Sequence, residues 1–238
     1  MGKKTGAYTA TVSQDLAMLK AGQLAEFDAV ALINTQGDLI IDPEMRKGFL
    51  AYVSGGKGLC AIHGAADTNT DWPEYAELIG GLFAGHNNWN RASVKIDDPA
   101  SPLTAMFGGK GFALNDEIYT FKGPYSREKL HILLSMDLKA SGLSGGNRSY
   151  DDYAFSWIHE YGKGRVFYCS FGHSPEIFRK PEMLQHYLAG IQYALGDLKA
   201  DATPSAKAKI APAPAPPFKP SAILKQRINN HKPDGDAK

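Results

Sequence analysis

Apolar positions in this chain fall into short runs separated by polar stretches rich in Gly and Pro, and two periodicities alternate along it. Ala29-Val30-Ala31-Leu32-Ile33 is a continuous apolar run ended by Asn34-Thr35-Gln36-Gly37, the pattern of a buried parallel strand. Helical spacing follows at once. Asp42 is a good N-cap, Pro43 fits the first turn, Met45, Phe49, Tyr52 and Val53 share a stripe, and Gly55-Gly56 closes the element. The next strand is predicted over Leu59 to Ile62 and a helix over Tyr75 to Phe83. Further strands are predicted over Ser93 to Ile96, Phe112 to Leu114, Leu130 to Leu134 and Arg165 to Ser170. A last helix, Glu182 to Leu195, puts Leu184, Leu188, Ile191 and Leu195 on one stripe and stops at Gly196. This alternation predicts an α/β domain whose mostly parallel sheet carries helices on both faces.

Beyond residue 196 the pattern ends. Residues 197–238 turn to Ala, Lys and Pro, including Ala211-Pro212-Ala213-Pro214-Ala215-Pro216-Pro217, and hold seven of the fourteen prolines. Such a stretch cannot bury a core, so it is expected to be a disordered, extended tail after a domain of residues 1–196. Its Ala222-Ile223-Leu224-Lys225 cluster is at most a weak docking element. With 238 residues and 43% hydrophobic content, one sizeable core is the expectation. No apolar run reaches 18 residues, which removes a transmembrane helix. Met1 to Gly6 has no hydrophobic core of a signal sequence, so the chain as written reads as cytoplasmic, and as exported only if an upstream signal precedes it. The net charge of +1 divides into a tail of +4 and a body of −3 without a basic stripe, which leaves neither nucleic acid nor membrane as an expected partner.

Chemistry concentrates at two strand ends. In Gly58-Leu59-Cys60-Ala61-Ile62-His63-Gly64-Ala65-Ala66-Asp67 an apolar strand stops on a polar side chain, with Ala at both positions two residues away. These are the sterics of a nucleophile elbow, with histidine at its tip. In Phe167-Tyr168-Cys169-Ser170-Phe171-Gly172-His173-Ser174-Pro175-Glu176 a second strand runs out into Gly-His-x-Pro-Glu. Both histidines should stand over the carboxyl edge of the sheet, where open α/β sheets bind ligands. Cys60 and Cys169 lie inside apolar runs and read as small buried hydrophobes. Cys60 does not have the small residue two positions on that a nucleophile would need.

The two segments together resemble the class I glutamine amidotransferase-like, flavodoxin-like fold, and more closely its trehalose-utilisation (ThuA-like) family. Matching residues are Gly56-Lys57-Gly58, Ile62-His63-Gly64-Ala65, Trp72-Pro73-Glu74-Tyr75, Ile79-Gly80-Gly81 with Phe83 and His86, Asp116-Glu117-Ile118-Tyr119, and Gly162 to Tyr168 through Gly172-His173. They span most of residues 8 to 196. Members of the family open with a further strand, a Gly/His loop and a helix, so the resemblance implies a chain lacking the first βα unit. It also implies a sugar substrate of trehalose or keto-disaccharide type, and the missing thiol argues against a glutaminase.

On this reading His63 and His173 are catalytic candidates, with Glu176 placed either to accept a proton from His173 or to cap the next helix. Adjacent carboxylates at Asp116 and Glu117 face opposite ways in an extended chain, and Glu117 is expected to address the cleft. Trp72 and Tyr75 offer flat faces for a pyranose, while Asp67, Asn69 and Asn34 offer hydrogen bonds. His63, His86 and His173 would supply nitrogen ligands to a divalent ion such as zinc, although no compact ligand spacing supports it. Two function classes stay open. One is a sugar-processing hydrolase, lyase or isomerase; the other is a non-catalytic sugar-binding or protein-interaction module on a degenerate scaffold, as a monomer or a homo-oligomer.

Overall fold

In the computed structural model, which describes residues 1–87, 89–144 and 152–218, the strands are β1 (Ala29–Ile33), β2 (Gly58–Ile62), β3 (Leu82–Gly85), β4 (Ala92–Ile96), β5 (Phe112–Leu114), β6 (Thr120–Lys122), β7 (His131–Met136), β8 (Ala154–Tyr161) and β9 (Gly164–Cys169). The helices are α1 (Gly2–Thr5), α2 (Ala21–Leu24), α3 (Pro43–Ser54), α4 (Pro73–Ile79) and α5 (Pro181–Leu195). Seven strands form one sheet in the order β1-β2-β9-β8-β7-β4-β5, and β3 pairs with β6 in a separate ribbon. Only β1, β2 and β9 are joined in parallel. Each later pairing is antiparallel, so β1, β2, β9, β7 and β5 all run in one sense.

Side chains alternate across this sheet and feed two cores. Leu59, Ala61, Val166 and Tyr168 face α3 and α4, where Phe49, Val53, Tyr75, Leu78 and Ile79 close over them. Cys60, Ile62, Phe167 and Cys169 face α5 through Met183, Tyr187, Tyr193 and Ala194. The α/β class and the helices on both faces are as the periodicity predicts. Helix α3 starts where its cap requires: the Asp42 side chain accepts from the amides of Glu44 (2.8 Å) and Met45 (3.0 Å).

Several expectations need correction. The helix expected to reach Phe83 stops at Ile79, because Gly80 takes a left-handed conformation (φ 92°) and Leu82–Gly85 leaves as a strand. Helix α5 buries Met183, His186, Tyr187, Gly190, Tyr193 and Ala194, while the expected Leu184, Leu188, Ile191 and Leu195 stripe is only partly covered. The reason is Phe167, whose ring lies so close that no Cβ fits at position 190, so the face that carries Gly190 turns inward. Strand β8 was not expected. Its Ser156 and His159 break the apolar pattern, yet they are paired inside the core, Ser156 donating to the Tyr168 carbonyl (2.8 Å) and His159 Nε2 to that of Leu78 (2.9 Å).

The expected disordered tail is also corrected over residues 203–218. His131 Nδ1 donates to the Thr203 carbonyl (2.6 Å), Ser205 Oγ accepts from Ile132 N (2.8 Å), and Ala213 makes an antiparallel bridge with Ile96. The segment Ala222–Lys225, named as a docking element, lies outside the described residues.

Gly58 and Gly164 show why the Gly-Lys-Gly segments are needed. A Cβ at Gly58 would collide with the Ala194 carbonyl of α5, and one at Gly164 with the Val53 carbonyl of α3, so the helices press on the sheet backbone from opposite faces. Replacing Gly164 with Ala should destabilise the fold by about 2 kcal/mol, lowering Tm by roughly 4–8 °C. Gly22→Ala, where nothing lies within 4 Å, should not, and thermal unfolding of the two variants checks the difference.

Candidate functional site

The carboxyl ends of β1, β2 and β9 lie side by side, with Ile33 opposite Ile62 and Ile62 opposite Cys169. The residues after these strands therefore meet at one rim. His63 leaves β2 with φ 48°, a left-handed conformation that a histidine adopts only when its surroundings enforce it. Three contacts do so. Tyr168 donates its hydroxyl to the His63 carbonyl (3.0 Å), His63 Nδ1 lies 2.6 Å from the Ser170 carbonyl, and Gly64 has no room for a Cβ against the Thr35 carbonyl (2.7 Å).

Because a carbonyl can only accept, the proton of His63 sits on Nδ1 and leaves Nε2 as the reactive nitrogen. That atom is 3.3 Å from Glu117 Oε2, and the Glu117 side chain keeps 27% of its surface exposed. Burial, the largest influence, holds His63 below the ordinary imidazole range. The Ser170 carbonyl and the Asp116 and Glu117 carboxylates oppose it. His63 is thus neutral near pH 7, with an unprotonated Nε2 facing the Glu117 side chain.

His173 completes the group, its ring 5.5 Å from that of His63 in an edge-on arrangement. Its backbone is fixed by Asp116, whose buried carboxylate accepts from the amides of Gly172 (2.7 Å), His173 (3.3 Å) and Ser174 (2.8 Å). The adjacent acids divide the work, Asp116 turned to the loop and Glu117 to the histidine, although the chain bends at Asp116 instead of running extended. Asn34, itself at positive φ (51°), donates from Nδ2 to the Gly172 carbonyl (3.0 Å) and ties the β1 end to the same loop. Asp67 accepts from Gln36 Nε2 (2.8 Å) at the far side of the elbow.

Other candidates fall elsewhere. Glu176 is not paired with His173 and does not cap the following turn; its side chain is 68% exposed and lies 3.9 Å from Arg179. Trp72 and Tyr75 are core residues, not a sugar platform. Trp72 is 3% exposed, stacks on Tyr75 at 5.7 Å, and carries the Arg46 guanidinium at 5.0 Å, while Tyr75 donates to the Ala65 carbonyl (2.8 Å). Among the described residues no three His, Cys, Asp or Glu side chains gather to hold an ion, and His86 instead stacks on Phe83 at 6.4 Å. Cys60 and Cys169 are buried and free, and burial pushes the Cys60 thiol up to about 12, so neither is a nucleophile.

Tyr119, Tyr168, Ser170 and the structural part played by Asp116 were not recognised from sequence.

Asp116→Ala should remove three charge-assisted hydrogen bonds, costing about 2–4 kcal/mol, and should speed amide hydrogen exchange selectively at residues 172–174. Stability should also fall with acid. His63, His159 and His186, the last lowered to about 4, all have folded-state values depressed by burial. The unfolded chain then binds protons more readily, so their contribution is complete above about pH 6.5 and is lost as pH drops toward the folded values. Urea midpoints measured from pH 7.5 to 4.5 check the slope, and a midpoint rising toward acid would contradict it.

No curated protein matches the sequence. Among solved structures, a ThuA-like protein from Bacteroides uniformis ATCC 8492 superimposes with a TM-score of 0.65 at 23% identity, over 84% of this chain and 82% of that one. A ThuA-like protein from Parabacteroides merdae ATCC 43184 gives 0.56 at 18% identity, over 82% and 79%. At these identities the likeness concerns the fold. The sequence profile of the family described as ThuA, trehalose utilisation, matches residues 1–194, which include the elbow, the Asp116–Glu117 pair and the His173 loop. The description supports a carbohydrate-related role, and the chain belongs to the trehalose-utilisation (ThuA) family.

Proposed function

We propose that the protein is an enzyme of carbohydrate catabolism that moves a proton on a trehalose-like or keto-disaccharide through His63 and Glu117. The observation that carries this reading is the 3.3 Å approach of Glu117 to His63 Nε2 at an elbow whose backbone is held in a strained conformation. An imidazole nitrogen without its proton, facing a partly exposed carboxylate, is an acid/base device near neutral pH. His173, at the rim beside them, is the second group in reach of a substrate.

The carboxylates favour one class of chemistry. Ordinary glycoside hydrolysis needs two acids flanking the scissile bond. Here Asp116 is consumed by three amides, Asp67 is tied to Gln36, and Glu176 turns to solvent beside Arg179, leaving Glu117 alone on the histidine. A single base suits removal of the acidic hydrogen next to a ketone. The electron pair moves onto the carbonyl oxygen, and a proton returned at a neighbouring atom gives isomerisation, or loss of the glycosidic oxygen gives elimination. This favours a lyase or isomerase over a hydrolase.

Turnover of 3-keto and unmodified disaccharides, with and without chelator, tests the reading. Glu117→Gln and His63→Asn should each lower kcat at least about 100-fold with little change in KM. Binding without turnover by the unaltered chain would instead establish a non-catalytic sugar-binding module.

A further inference from the structure

Hydrogen-bond donors are scarce at this rim. The Nδ1 proton of His63 is spent on the Ser170 carbonyl, and Asn34 Nδ2 on that of Gly172, so beside Glu117 the side chains left around the histidine are those of His173 and Tyr119. A sugar oxygen that gains negative charge beside Glu117 needs a neutral donor from this chain.

Tyr119 has the attributes of that donor. Its ring packs on His63 at 4.3 Å and on Phe83 at 4.3 Å, and the residue is only 5% exposed. Buried tyrosine hydroxyls ordinarily find a partner. Tyr75, Tyr125, Tyr168 and Tyr187 each do, donating to Ala65 O, Asp152 Oδ2, His63 O and Phe171 O at 2.8–3.0 Å. The Tyr119 hydroxyl makes no hydrogen bond among the described residues, although the ring around it is fixed. Burial first, then the charges of Glu117, Asp67 and Asp116, raise its pKa, so the phenol stays protonated at physiological pH.

We propose that Tyr119 is a further catalytic residue, whose hydroxyl donates a hydrogen bond to the substrate oxygen on which charge develops when the His63–Glu117 pair removes a proton. This rests on the acid/base reading above. No covalent bond to the tyrosine forms, and its proton stays on the phenol.

Tyr119→Phe keeps both ring contacts and removes only the hydroxyl, so it should unfold within about 2 °C of the unaltered protein. Binding of trehalose and its 3-keto derivative should weaken about threefold to tenfold by calorimetry, the loss of one neutral hydrogen bond. Turnover of the keto sugar should fall 100-fold or more in kcat, the range for removal of one oxyanion donor. Equal affinity and equal kcat in the two proteins overturn the assignment while leaving the His63–Glu117 reading intact. Binding without turnover in the unaltered chain ends the catalytic claim for both, and the oxygen contact itself then stands or falls on the affinity difference. Absence of sugar binding by the unaltered chain overturns both.

Discussion

The conformation of His63 depends on neighbours that come from elsewhere in the chain. A left-handed histidine is unfavourable in isolation, and here its carbonyl is taken by Tyr168, its Nδ1 by Ser170, and the following residue by a backbone approach that only glycine allows. The first two depend on β9 lying beside β2 in register, Ile62 opposite Cys169, and the third on β1 lying on the other side of β2. The register in turn depends on two helices seated directly against glycine backbones at the other end of the same strands.

Two adjacent carboxylates meet opposite fates for a related reason. Asp116 is fully desolvated, and three consecutive amides of the β9 loop replace its water, a tight substitute because each is a charge-assisted bond. Glu117 keeps partial exposure and one imidazole contact. A structural acid beside a reactive one, on one short stretch, positions the His173 loop and the proton-transfer pair from the same piece of backbone.

Much of this was legible in the sequence. Strands β1 and β5 were placed residue for residue, and β2, β4, β7, β9 and α3 within a few residues, since their apolar runs, caps and glycines agree with the final packing. The convergence of His63, His173 and Glu117 followed from strand ends and the parity of neighbouring residues. What was missed had its cause in three dimensions. Strand β8 is polar in places where the polar groups are satisfied from other elements, and Trp72 and Tyr75 look like binding rings until the helix that buries them is seen. Glu176 has a suggestive neighbour in sequence and another in space. Tyr168 read only as an apolar strand residue, because the hydroxyl that holds the elbow has its partner 105 residues away.

The proline-rich segment resolves a problem common to open sheets. Beyond the three residues of β5, strand β4 would present a bare edge at Ile96, and Ala213 occupies it with both its backbone groups. Pro212 and Pro214 on either side have no amide to offer, so the ladder cannot lengthen. A strand that is allowed a single pair covers apolar backbone without becoming a template for the next molecule, and this guards the sheet against growing edge to edge into aggregates.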